Sequence, residues 1–329
     1  NLVTTIKDSC HECYACVRNC PVKALSVKDG QSEVIKDRCI NCANCVTICS
    51  QGAKKVKNHK EHIGSLINKQ DMDLVVGLAP SFPAFDTELN FEEWEEILIK
   101  TGFKEVYEVA WGAQLMINEY KEYLKKDDEP VISTACPVVV NLVRKYYPEL
   151  VNYLATIVSP MGALVKYLRA TVESNTKVVL IGPCHAKKIE FANNEFVEGV
   201  LTYTEAFDMF ENHFDIYKNK DKYDNKEEEE EDLIIDSYSR NIPIAGGLKE
   251  ALEGKTDDRF LKVEGGKKLN ALFDMMSAGE ISPKFVDALF CDGCINGVDL
   301  TEKSHFKKEI AVNKFIDHNK RVDTKKYSI

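Results

Sequence analysis

Long apolar runs are missing from this sequence. The longest, such as Lys177–Pro183, fall far short of the roughly 20 residues that span a bilayer, so no membrane role is expected. No charged-then-apolar leader opens the chain, which sets aside a secretory signal. Asn1 is not an initiator methionine, so residues upstream of it are expected. A basic excess is lacking too: 43 Lys and Arg stand against 53 Asp and Glu, a formal net charge of −10. That argues against nucleic acid as the main partner and fits a protein that meets small redox partners. Core-forming residues are not scarce. With 44% hydrophobic and 29% charged positions over 329 residues, the chain supports one large domain plus a small one, without general disorder. What abounds is cysteine, twelve in all. In a long, lysine-rich chain without a leader, that number points to metal or redox chemistry more than to a disulfide scaffold, and to the cytoplasm.

Eight of the twelve form an internal repeat. "CHECYACVRNCP" supplies Cys10, Cys13, Cys16 and Cys20, and "CINCANCVTICS" supplies Cys39, Cys42, Cys45 and Cys49. Three thiolates two residues apart can wrap one face of an iron–sulfur cube, because the tight turns between them aim backbone N–H groups at sulfur. The fourth cysteine reaches across to the other cube. One [4Fe–4S] cluster is therefore expected on Cys10, Cys13, Cys16 and Cys49, and a second on Cys39, Cys42, Cys45 and Cys20. Zinc and disulfides are the plainer readings, but zinc usually takes paired C-x2-C units rather than triple runs twice over. The stretch resembles a bacterial two-cluster ferredoxin, with Ser50 where that pattern usually has proline. From Gln51 to Asp71 the sequence turns polar and lysine-rich, which places a domain boundary there. Residues 1–57 then form a small ferredoxin-like α+β domain, and residues 58–329 a second domain.

In that second part, Leu74–Pro80, Pro130–Pro137 and Lys177–Cys184 read as short buried strands. Helical patterns run over Phe91–Thr101, Gln114–Lys125, Val138–Tyr147 and Met161–Thr171. Strands alternating with helices indicate an α/β architecture with mostly parallel sheets, in which ligands sit beyond the carboxyl ends of strands. Cys136 and Cys184 each fall just past an expected strand end, with a helix following. Cys291 and Cys294 lie in a glycine-containing loop preceded by helix-like sequence. A lone cysteine is often only a small buried hydrophobe. Four on three loops match the ligand count of a third cube.

These loops carry a family resemblance. "STACP", "GPCHAKKIE" and "FCDGCING" resemble, in order, the three signature loops of the [FeFe]-hydrogenase active-site domain. "LAPSF", "GFKEVYEVAWGAQLMINE", "SPMGA" and "IAGGLKEAL" match the flanking sequence. The resemblance implies that Cys136, Cys184, Cys291 and Cys294 ligate a third cube, with Cys294 bridging to a di-iron unit that carries CO, CN⁻ and a dithiolate amine. It assigns Lys187 as a donor to one cyanide, where the plain reading is a solvated lysine. It assigns the loop of Pro80 and Ser81 to the other. Lys188 and His185 keep plain readings, and Glu190 a structural pairing. The implied activity interconverts H2 with protons and electrons, fed by a ferredoxin-like redox partner after maturation proteins insert the di-iron unit.

The sequence also departs from that family. Ala135 stands where efficient members have a proton-passing cysteine, and its methyl carries no proton. An ungapped reading puts Tyr120 and Tyr123, with Glu119 adjacent, where two glutamates usually lie; a phenol of ordinary pKa near 10 relays poorly at neutral pH. Gly182 and Leu289 replace methionines, Met161 replaces a glutamine, and the last loop is C-x2-C rather than C-x3-C. Such changes resemble the divergent, sensor-type members, which implies a slow enzyme with a signalling partner. Two other classes stay open: an iron–sulfur assembly factor of the same fold without the di-iron unit, and an electron-transfer protein. The acidic run Lys218–Asp232 reads as a solvated loop. His11 and the other histidines have no ligand spacing.

Overall fold

The computed structural model describes residues 2–67, 69, 71–126, 129–218, 235, 237–252, 258–300 and 304–318. The N-terminal elements are short because each cysteine run spends its residues on turns. They are β1 (Val3–Thr5), α1 (Ala15–Arg18), β2 (Leu25–Lys28), β3 (Gln31–Val34), α2 (Asn44–Thr47) and β4 (Lys54–Val56). β1 pairs antiparallel with β4, and β2 with β3. The β2–β3 turn is Asp29–Gly30, both with positive φ (48° and 79°), the conformation that matches the twist of a two-residue hairpin. α1 and α2 each start one residue before the third cysteine of a repeat, so the repeat is structural as well as sequential.

α3 (Lys60–Leu66) then lays Ile63 and Leu66 into the large core. Its approach is stitched down by polar contacts. His59 Nδ1 accepts the Val200 N–H at 3.1 Å, His62 Nε2 lies 2.9 Å from Glu198, and Lys188 Nζ donates to Lys57 O at 3.0 Å. Lys188 is thus not a solvated lysine. It is buried and holds both carboxylate oxygens of Glu205 at 2.6 Å. Burial and the nearby Lys188 and Lys57 ammonium groups lower the His59 pKa to about 4. A histidine held neutral in the fold but free to charge when unfolded contributes stability that is present above about 6.5 and is lost as pH falls towards about 4. We expect His59→Gln, which keeps an acceptor for Val200 but cannot charge, to flatten the acid side of the denaturant-midpoint profile relative to wild type. Parallel profiles would exclude His59 as its source.

The chain next alternates: β5 (Asp73–Leu78), α4 (Phe82–Phe85), α5 (Phe91–Lys100), β6 (Glu105–Glu108), α6 (Val109–Tyr123), β7 (Val131–Ile132), α7 (Pro137–Tyr146), α8 (Pro160–Thr171), β8 (Thr176–Ile181), α9 (Lys187–Glu190), β9 (Val197–Leu201), α10 (Tyr203–Lys218), α11 (Ser237–Asn241), α12 (Gly247–Leu252), β10 (Phe260–Glu264), α13 (Gly266–Ser277), β11 (Phe285–Leu289) and α14 (His305–His318). One sheet has the order β6-β5-β8-β9 and the other β10-β11-β7, with every pairing parallel. The α/β expectation is what is found. β5 and β8 are continuous apolar runs because helices cover both faces. Asn90 and Glu93 close a capping box at the start of α5.

Three expectations shift. The strand expected over Pro130–Pro137 is only Val131–Ile132, since the chain turns at once toward α7. The helix expected from Gln114 begins at Val109. There Gly112 lets α6 lie against α8: a Cβ would collide with Pro160 O and stand 2.7 Å from Leu164 N. The segment directly before Cys291 is strand β11, buried at every position, rather than helix. Of the acidic run, residues 219–232 lie outside the described residues. Among the described residues no helix is long and apolar enough to cross a membrane.

Candidate metal centres

Both sheets end at one place. Cys136 stands at the N-cap of α7, four residues after β7 ends at Ile132. Cys184 follows β8 and precedes α9, and Cys291 and Cys294 follow β11. All four line one cavity with Pro183, His185 and Phe290, beyond the strands' carboxyl ends. Gly293, at φ 79°, turns the last loop so that Cys294 N–H donates to Pro243 O at 2.8 Å. Cys42, from the second N-terminal repeat, lines the same cavity. It is held there by α7, whose Lys145 Nζ donates to Cys39 O at 2.8 Å and whose Tyr146 hydroxyl lies 2.8 Å from Arg38 O.

The donor chemistry fits an iron–sulfur cube. Burial, then the Cys136 thiol, pushes the Cys184 thiol up to about 11, against the Lys187 ammonium. Burial and the neighbouring thiols raise Cys291 and Cys294 further. Thiols held up in this way become thiolates only if a cation replaces their protons, as iron does. Among the described residues no three Cys, His, Asp or Glu side chains converge on a single ion. The four thiols ring a volume, and each ligand of a cube binds its own iron.

The N-terminal repeats fit cubes by a different signal. Glu12 and Tyr14 in the first, and Asn41 and Ala43 in the second, all have left-handed φ of 53° to 62°. Each such non-glycine residue costs about 1 kcal/mol or more, and the same positions carry it twice. The resulting curls turn N–H groups inward, the concavity that anions bind. Asn41 N–H donates to Cys39 Sγ at 3.4 Å and Ala24 N–H to Cys20 Sγ at 3.2 Å. Burial raises Cys42 and Cys45 to about 12, with Cys39 and Cys20 near both. At Cys49 burial acts upward, but the Lys54, Ala53 and Gln51 N–H groups outweigh it and hold the thiol below its ordinary range. His11 N–H donates to Gln51 Oε1 at 2.8 Å, which brings the Cys10–Cys13 loop beside the turn after Cys49. Cys16 is buried, its thiol 3.3 Å from Ser32 Oγ.

The remaining site residues have clear placements. Lys187 is buried, its Nζ 2.6 Å from Glu190 Oε2 and 3.4 Å from Ala135 O. Glu190 also accepts from Ser159, whose hydroxyl caps α8 by accepting the Gly162 N–H at 3.2 Å. Lysine, missing cysteine and helix cap thus form one chain of contacts. Pro80 and Ser81 are buried at the end of β5. Tyr203, which sequence reasoning missed, donates its one proton to Ala79 O at 2.8 Å. The Ser81 hydroxyl, 2.8 Å from Tyr203 Oη, therefore donates to the phenol. Tyr120 is fully buried. Its oxygen accepts the Thr134 N–H at 2.9 Å and donates to Thr134 Oγ1, which donates to Ile157 O. That circuit closes on a backbone carbonyl. Burial raises the Tyr120 phenol to about 12. Tyr123 is only half-buried and packs against the same cluster. The Met161 side chain lies over Gly182, where a Cβ would sit 2.7 Å from Met161 Cε and 3.0 Å from Ala79 Cβ.

Comparison with known proteins agrees with this layout. Residues 2–50 match the 4Fe-4S dicluster domain. Iron hydrogenase 1 of Clostridium pasteurianum is 24% identical over 305 residues, covering 73% of this chain and 52% of that protein. The cytosolic Fe-S cluster assembly factor NAR1 of Scheffersomyces stipitis is 30% identical over 156 residues, 40% of this chain and 29% of the factor. The chain thus spans about half the length, or less, of these two relatives. A structure of an [FeFe]-hydrogenase HydA1 variant from Chlamydomonas reinhardtii superposes with a TM-score of 0.58 at 18% identity, over 78% of this chain and 88% of that one. At that identity the likeness establishes the fold. Residues 72–298 match the iron only hydrogenase large subunit, C-terminal domain, and with that match the chain belongs to the iron-only hydrogenase large-subunit family.

Proposed function

We propose that this protein interconverts H2 with protons and electrons at a slow, sensor-type [FeFe]-hydrogenase site in the cytoplasm, with residues 1–57 as its electron-carrying domain. The observation that carries this reading is the shared cavity: four thiols from three loops, with Cys42 of the N-terminal repeat in the same wall. Two [4Fe–4S] clusters occupy the N-terminal repeats and a third sits on Cys136, Cys184, Cys291 and Cys294. A di-iron unit with CO, CN⁻ and a dithiolate amine attaches through Cys294 and supplies, when bound, the iron at which H2 is made or split. Lys187 and the Pro80–Ser81 loop hold the anionic ligands. A buried ammonium suits a cyanide nitrogen, and the Ala135 carbonyl and Glu190 fix its direction. Ala135 offers no proton, and the Tyr120 circuit leads none to it. A site that keeps its ligands and lacks fast proton delivery suits a sensor, whose partners are a ferredoxin-like donor, maturation proteins and a signalling protein.

A second reading is a cytosolic assembly factor that carries cubes alone. The likeness to the Scheffersomyces protein favours it. So does the fact that Lys187 and Ser81 already have protein partners. Iron content and infrared spectroscopy separate the two. Reconstituted protein should hold about twelve irons, and exposure to maturation proteins should add iron-bound CO and CN⁻ bands. Twelve irons without those bands would favour the assembly factor. Only eight would remove Cys136 and its three companions as ligands.

A further inference from the structure

β11 buries an acid. Asp287, in the middle of this strand, is 4% exposed. Its Oδ2 accepts the Lys249 N–H at 3.0 Å, and the Leu248 N–H also points at it. Among the described residues no ammonium or guanidinium pairs with it. Neither the cluster ligation nor the route expected along α6 uses this group.

Asp287 lines a cavity of about 200 Å³ between β10, β11, α13 and the segment just before α12, with Gly246, Lys262, Glu264 and Lys268. Lys262 and Lys268 are exposed, so the mouth opens to solvent and the volume admits several waters. Leu289, two residues along the strand, lines both this cavity and the one ringed by thiols. A solvent-accessible recess and the thiol cavity therefore share the Leu289 side chain as a wall, with a carboxyl on the solvent side.

We propose that Asp287 is a redox-linked proton acceptor for the centre on Cys136, Cys184, Cys291 and Cys294, taking a proton from water in the neighbouring cavity when that centre gains an electron and returning it on oxidation. The inference rests on the reading that those four thiols hold a cube. The balance is one electron from the N-terminal clusters to the cube and one proton from bulk water to the carboxylate, with no bond to iron made or broken. The field of Asp287 reaches the Cys294 thiol, so the charge of either is felt by the other. Burial pushes the Asp287 carboxyl up to about 6, against the two N–H groups and the Lys262 ammonium. It can therefore change state near neutrality. The other groups facing it do not replace it. Glu250 accepts from Asn241 at 3.0 Å, Glu264 stands 3.9 Å from Lys268, and Tyr120 is held at about 12.

The test is a spectroscopically monitored redox titration of the full chain with its cubes reconstituted and no di-iron unit, run on either side of about pH 6. In wild type the midpoint potential of the third cube should fall as pH rises, because the carboxylate formed disfavours the added electron. Asp287→Asn, which keeps an acceptor for Lys249 N–H, should retain the cube's signal and make its potential independent of pH. Lys262→Met should move the pH-dependent range upward, and this decides the matter should Asp287→Asn not fold. A flat wild-type profile, an Asn variant with the wild-type slope, or an unmoved range in Lys262→Met overturns the proposal. A wild-type protein with no third cube signal overturns the cluster reading instead.

Discussion

Replacing Ala135 with cysteine is expected to raise H2 production by the loaded protein, but by far less than the ~10²–10⁴-fold that a well-placed acid relay contributes. A thiol there would gain a proton to give but no donor behind it, because the Tyr120 hydroxyl is spent on Thr134, and Thr134 on Ile157 O. Adding Tyr120→Glu and Tyr123→Glu should raise output further, with gains that exceed the sum of the single changes, since the residues form one chain. The solvent isotope effect on turnover should shrink from wild type to the triple variant. Position 120 is fully buried beside Met116, Ile117 and Phe285, so a glutamate there will be held partly protonated and will cost stability. Denaturant midpoints must therefore accompany the rates. If Ala135→Cys leaves activity unchanged or lower in every background, protons already arrive another way, and the missing cysteine says nothing about sensing.

Glu108→Ala should lower the unfolding free energy by about 3–5 kcal/mol, the range for stripping one partner from a buried ion pair. Glu108 closes β6 and receives Arg240 Nε at 2.9 Å and Nη2 at 2.7 Å, and both residues are almost wholly buried. The guanidinium carbon also stands 5.0 Å from the centre of the Phe315 ring on α14. Truncating the acid leaves a charge in an apolar setting that binds α11, β6 and α14 together. The double change Glu108→Leu with Arg240→Met should recover most of the loss, as apolar pairs of similar volume commonly do. Chemical denaturation of the three variants reads this directly, and a loss under about 1 kcal/mol for Glu108→Ala would mean the arginine reaches water.

The contrast between what could and could not be read in the sequence has physical causes. "LVVGL" and "KVVLI" announce strands because both faces are covered and proline or glycine bounds them. The cysteine repeats announce themselves because ligand spacing is local. "FVDALF" hid a strand, since a run buried on both faces has no alternation and here includes an acid. Asp287, Tyr203, Glu205 and Arg240 were invisible for a related reason. Each acts through a partner far away in the chain, and one sequence carries no trace of such pairs. Lys187 was legible only through its motif, and its bonds to Glu190 and Ala135 O belong to the fold.

The contact of Met161 with Gly182 couples the two positions in any remodelling of this site. A side chain at 182 meets the Met161 methyl and the Ala79 methyl at its first carbon. Any side chain at 182 must therefore push the flexible end of Met161 aside and still fit against Ala79, while Met161 is itself buried in the large core and does not change there without cost. A change at either position is thus felt at the other, and the effects of changing both are expected to be non-additive. Anyone remodelling the pocket must choose residues 161 and 182 as a pair.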